Sequence, residues 1–157
     1  MGVRELEELR IRLWNETVPE DGLVYYVGDF CDGDGPHGMN GVVQRMGAYR
    51  RRLNGRIVLI LGNHEREELT EVYKAIFDEV VPSVRLEPQK LILCHEPVLP
   101  PPAGYRLIYG HVHAACPEFP DATADTFCCC VQRTGNRPVG LRQALELMDG
   151  MRVGEIG

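Results

Sequence analysis

Asp29, Asn63, His95, His111 and His113 hold most of the chemistry in this sequence: one carboxylate, one amide oxygen and three imidazoles. Such a mixed nitrogen and oxygen set suits Mn, Fe or Zn better than a soft metal, which prefers thiolates. A carboxylate can also bridge two cations. Each of these residues closes a short apolar run: YYVGDF ends in Asp29, LILGNHE in Asn63 and His64, LILCHE in His95, and LIYGHVH in His111 and His113. A lone histidine at the end of such a run is usually just hydrogen-bonded or exposed. Here four of the five histidines share the placement, which argues against coincidence. His111 and His113 are two apart, so an extended backbone would point them to opposite faces, whereas a turn just after Gly110 could aim both at one centre. Glycines before Asp29, Asn63 and His111 permit sharp turns there.

The elements that must position these residues are legible in outline. The apolar runs are too short for helices and rich in Val, Ile, Leu and Tyr, as buried strands are. The spacing predicts strands over 23–28, 57–61, 91–94, 107–109 and 127–132, with a short strand or connection over 80–86. Amphipathic helices are predicted over 3–14, 41–53 and 65–77, and a short helix or extended segment over 138–147 followed by a Gly-rich tail. The segment FCDGDGPHGM is loop chemistry, and EPVLPPPAGY is a stiff crossing because proline lacks an amide donor. Strands alternating with helices indicate an α/β sheet with helices on its faces, in which ligands bind beyond the carboxyl ends of the strands.

Composition sets the frame. The chain has 157 residues, 44% hydrophobic and 25% charged, which fits one globular domain over 1–157. A net charge of -6 disfavours nonspecific binding to nucleic acid or anionic membrane. No apolar stretch approaches the roughly 20 residues of a membrane span, and the first residues lack the apolar centre of a secretory signal, so a cytoplasmic protein is expected. Of the six cysteines three are consecutive and none forms a CxxC pair, so reduced, packed thiols are expected. Alternation would put Cys94 on the face opposite His95, and Cys128 and Cys130 on one face together.

In order along the chain stand Gly28-Asp29-Phe30-Cys31-Asp32, Gly62-Asn63-His64-Glu65, His95, and Gly110-His111-Val112-His113. This ordered set resembles the GDxxD, GNH(D/E), H and GHxH motifs of the calcineurin-like metallophosphoesterases, in particular small bacterial and phage members with WN, LNG and GNHE segments. The resemblance implies an α/β/β/α sandwich in which Asp29 bridges two metals, Asn63, His95 and His111 complete one site, and His113 contributes to the other. It implies catalytic roles for His64, near the phosphate and leaving group, and for Asp32, which orients the His64 imidazole. A hydroxide on the metals would attack phosphorus in line, and His64 could protonate the departing alkoxide.

One departure stands out: no DxH motif precedes Asp29, although that family opens on a strand carrying one. A start downstream of the true one, a natural variant with one strong metal site, or compensation by His37 and Asp34 would each account for this. The first is favoured, because the helix over 3–14 resembles the segment that normally follows that strand. The expected cofactor is a divalent metal, Mn first with Fe or Zn as alternatives: two ions in the family, one strong site here. The expected activity is hydrolysis of a phosphomonoester or phosphodiester, with a phosphorylated small molecule or nucleotide as substrate. The alternative is a noncatalytic metal-binding or protein-interaction module that retains the fold. A sheet edge left open by a missing strand makes a homodimer a candidate assembly. The arginines between Arg45 and Arg56 are read as a solvated helix face, with phosphate steering as the alternative.

Overall fold

The computed structural model describes residues 2–30, 38–62, 67–113 and 116–156. Among these it is a mixed α/β structure with two sheets and four α-helices. The first sheet takes β1 (Leu23–Val27), β2 (Arg56–Ile60) and β3 (Glu79–Val81) in the order β1-β2-β3, all parallel. The second takes β4 (Val84–Leu86), β5 (Leu91–Cys94), β6 (Arg106–Tyr109) and β7 (Thr126–Cys128) in that order, with β4 antiparallel to β5 and the rest parallel. The segment expected as a short strand or connection over 80–86 is thus two strands, one in each sheet. Pro82, with no amide to donate, stands between them at the crossing.

Helices α1 (Val3–Thr17), α2 (Gly38–Arg51) and α3 (Thr70–Ile76) cover one face of the first sheet. Ile11 and Trp14 of α1, Val42 and Met46 of α2 and Tyr73 of α3 bury there against Ile57 and Leu59 of β2. Burial of each such side chain stabilises by about 1.5–3 kcal/mol. The next residue of β2, Ile60, points the other way, into a second core shared with Leu91 and Leu93 of β5, Ile108 of β6 and Phe127 of β7. The period-two alternation therefore packs the two sheets face to face.

Helix α4 (Leu141–Ile156) contributes Ala144 and Met148 to that inter-sheet core, with Met148 fully buried. Of the short helix or extended segment expected over 138–147, the helix is what forms, and it runs on through the Gly-rich tail. Glycine costs about 1 kcal/mol in a helix, and buried Ala144 and Met148 offset it. The strand expected over 127–132 stops at Cys128, because Val131–Arg133 winds into a 3-10 turn in which the Arg133 amide donates to the Cys130 carbonyl at 2.8 Å. Among the described residues no helix is long and apolar enough to cross a membrane.

Two short sequence segments tie α1 to the loop after α2. Trp14 donates its indole N–H to the Asn54 carbonyl at 2.9 Å, Asn15 accepts from the Asn54 amide at 2.8 Å, and Asn54 donates its side-chain amide to the Val18 carbonyl at 3.0 Å. The arginines of the α2 region are structural as well as solvated. Arg50 pairs with Asp78 at 3.0 Å, and Arg52 pairs with Glu8 at 2.6 Å.

Candidate metal centre

Parallel pairing brings strand ends together. Val27 is in register with Ile60, and Cys94 with Tyr109, so β1, β2, β5 and β6 all finish at one end of the molecule. The residues immediately beyond three of these ends converge. Asp29, His95 and His111 present ligand atoms that all lie within 4.8 Å of one another.

His95 is the centre of this group and is buried, 4% exposed. Its Nδ1 lies 3.0 Å from the carbonyl of Val27, across the junction between the sheets. A carbonyl can only accept, so Nδ1 carries the proton and Nε2 of the neutral ring is left with its lone pair. That lone pair faces Asp29 Oδ2 at 3.0 Å and His111 Nδ1 at 3.1 Å. A carboxylate oxygen and imidazole nitrogens so close repel one another unless a proton or a metal cation lies among them. The Val27 carbonyl is the kind of outer partner that fixes the orientation of a metal-binding histidine.

The backbone reaches this geometry through unusual turns. Asp29 has φ 55° and His111 has φ 64°, left-handed values that non-glycine residues seldom adopt. The Val112 amide donates to the Gly110 carbonyl at 2.7 Å, closing a three-residue turn of the strained hand around His111. Strain of this kind costs of order 1–3 kcal/mol and gathers at functional sites. Gly28 and Gly110 are required by close approach. A methyl at Gly28 would collide with the His95 ring, and one at Gly110 would meet the Val27 carbonyl oxygen at 2.8 Å.

Asp29 is further held by its successor. Phe30 packs against Tyr26 with ring centroids 4.8 Å apart, Phe77 at 4.9 Å and Tyr49 at 5.7 Å, anchoring the chain in the helix-side core. Sequence reasoning overlooked Phe30, although an aromatic residue directly after the candidate ligand was a usable signal.

Of the expected site residues, Asp29, His95 and His111 meet as described. His113, assigned by resemblance to a second metal, is exposed and stands outside this group. Asn63, His64 and Asp32 lie outside the described residues, as do His37 and Asp34. Cys94 turns away from the centre, as alternation predicted, and packs on the outer face of the second sheet. Beside His95 opens a groove of about 310 Å³ lined by Leu61, Gly62, Pro82, Cys94, Glu96 and Val98.

The chain is similar in structure to a protein of unknown function, AQ665 from Aquifex aeolicus, with a TM-score of 0.63 and 20% identity over 93% of this chain and 87% of that one. This likeness supports the mixed α/β fold. No protein-family model matches the sequence, and no curated protein matches it. The donor set itself suits a divalent cation of the Mn, Fe or Zn group: one carboxylate and two imidazoles, with the tautomer of His95 fixed by Val27.

Proposed function

We propose that this chain is a metal-dependent phosphoesterase whose metal is held by Asp29, His95 and His111. The observation that carries the reading is the Nε2 atom of His95, left with its lone pair where Nδ1–H donates to the Val27 carbonyl, and aimed at both Asp29 and His111. The ordered motifs of the sequence supply the reaction class, with Asn63 as a further ligand and His113 toward a second ion.

A bound divalent metal would supply Lewis acidity toward a phosphoryl oxygen and lower the pKa of a water molecule. The protein residues do the rest. Asp29 and the two imidazoles would hold the cation, with buried His95 at the floor of the site. The groove past Leu61 and Gly62 receives the organic part of a phosphorylated small molecule or nucleotide. By the resemblance of the motifs, His64 would protonate the leaving oxygen, with Asp32 orienting its imidazole.

Hydrolysis of p-nitrophenyl phosphate and its bis-ester in the presence of Mn, Fe or Zn tests this. The expected result is metal-dependent turnover lost in His64→Ala, with the circular dichroism spectrum unchanged. Stoichiometric metal binding with no turnover of either ester would instead identify a noncatalytic module that retains the fold.

A further inference from the structure

The groove beside His95 is selective in its chemistry. Leu61, just past the end of β2, Pro82, at the crossing between the sheets, and Val98, 57% exposed, give it apolar walls, and buried His95 is part of its lining. Among the described residues that line it, the acid is Glu96, and no lysine or arginine stands with it. Glu96 is exposed, and among the described residues its carboxylate has no ion-pair or hydrogen-bond partner.

The backbone of Glu96 is held on both sides. Its carbonyl accepts from the Cys94 thiol at 3.2 Å, and Pro97 behind it restricts the residue to extended conformations. The acid therefore keeps its place beside His95, whose Nε2 faces Asp29 and His111.

This lining sets the charge of a ligand. With one phosphate at the metal centre, a second phosphate or a carboxylate on the organic part would meet Glu96, and no described cation of the lining would offset the repulsion. A positive group there would pair with the carboxylate instead. Methyl and methylene groups around that charge would bury against Leu61, Pro82 and Val98.

We infer that the substrate is a single-phosphate ester of an amino alcohol, with Glu96 as the residue that selects its positive end. The reaction rests on the phosphoesterase reading, and the choice of ligand rests on the groove. Hydrolysis of such an ester breaks one P–O bond with one water and yields the amino alcohol and inorganic phosphate. A polyphosphate is disfavoured by the same carboxylate.

The test is calorimetric binding of phosphocholine to the Mn(II)-loaded full chain, against its neutral carbon isostere in which tert-butyl replaces trimethylammonium, beside phosphate release from both. The two esters share shape and phosphate, so a change in the ratio of their affinities reads the charge. Phosphocholine should bind more tightly. Glu96→Gln should move the ratio about fivefold toward the neutral ester, the upper worth of an exposed ion pair, and Glu96→Lys should move it further. High salt should shrink the wild-type ratio. In turnover, the effect of Glu96→Gln should fall on KM with kcat unchanged. Glu146→Gln, at an exposed acid outside the groove, should leave the ratio alone. Binding of the neutral isostere as tightly as phosphocholine by the wild-type chain, or a ratio unmoved in Glu96→Gln, would overturn the inference. The expected ratios without phosphate release from either ester would sink the phosphoesterase reading and leave the ligand preference standing in a noncatalytic module. Failure to bind either ester, with Mn(II) bound stoichiometrically, would overturn both.

Discussion

His95 Nε2 stands 3.0 Å from Asp29 Oδ2, joining the ends of strands that belong to different sheets. The pairing is meaningful because His95 has already committed its other nitrogen to Val27, so the contact needs a cation or proton to be stable. A metal centre at this junction would also clasp the two sheets together.

Metal binding should therefore report on both site and stability. Mn(II) at about 100 times its dissociation constant should raise the unfolding free energy by about 2.7 kcal/mol. Asp29→Ala and His95→Ala should abolish that increment. Thermal melts with and without Mn(II), beside a stoichiometry from calorimetry, make the comparison. Equal stabilisation of both variants would place the metal elsewhere.

Gly28→Ala should be more damaging than its size suggests. The added methyl meets the His95 ring, and φ 76° disfavours any side chain. A loss of roughly 1–3 kcal/mol in urea unfolding is expected from the backbone alone, together with weaker Mn(II) binding because His95 is displaced. Gly104→Ala, which has a positive φ but no neighbour, serves as control: it should lose stability without losing metal affinity.

The network between α1 and the loop after α2 should be cooperative. Asn54→Ala removes the side-chain bond to Val18, and Asn15→Ala leaves the Asn54 amide without its acceptor at 2.8 Å. Each should cost about 1–3 kcal/mol. Because the two residues touch, the double variant should cost less than the sum, a deficit that a double-mutant cycle measures.

Asp78 should make stability acid-sensitive. The Ile57 amide, donating at 2.7 Å, and the Arg50 guanidinium hold its carboxyl below the ordinary 3.8. With the folded value depressed, its contribution is fully present above the unfolded value and is lost as pH falls through the folded one. Asp78→Asn should cost about 1–3 kcal/mol near neutrality. Equilibrium unfolding of both proteins at descending pH should show the gap closing below the ordinary carboxylate value. A constant gap would mean that Asp78 acts without its charge.

Local chemistry determined a good deal by itself. Apolar runs of strand length, three of them broken by glycine just before a ligand type, marked the strands and the candidate ligands at their ends, because burial and backbone freedom are properties of a few adjacent residues. Alternation alone put Cys128 and Cys130 on one face and turned Cys94 away from His95. What only the tertiary structure decided was nonlocal. The split of residues 79–86 between two sheets depends on which partners β3 and β4 find. The helical run through Gly150 depends on the burial of Met148. The convergence of Asp29, His95 and His111 depends on the two sheets ending together, with Val27 reaching a histidine 68 residues away.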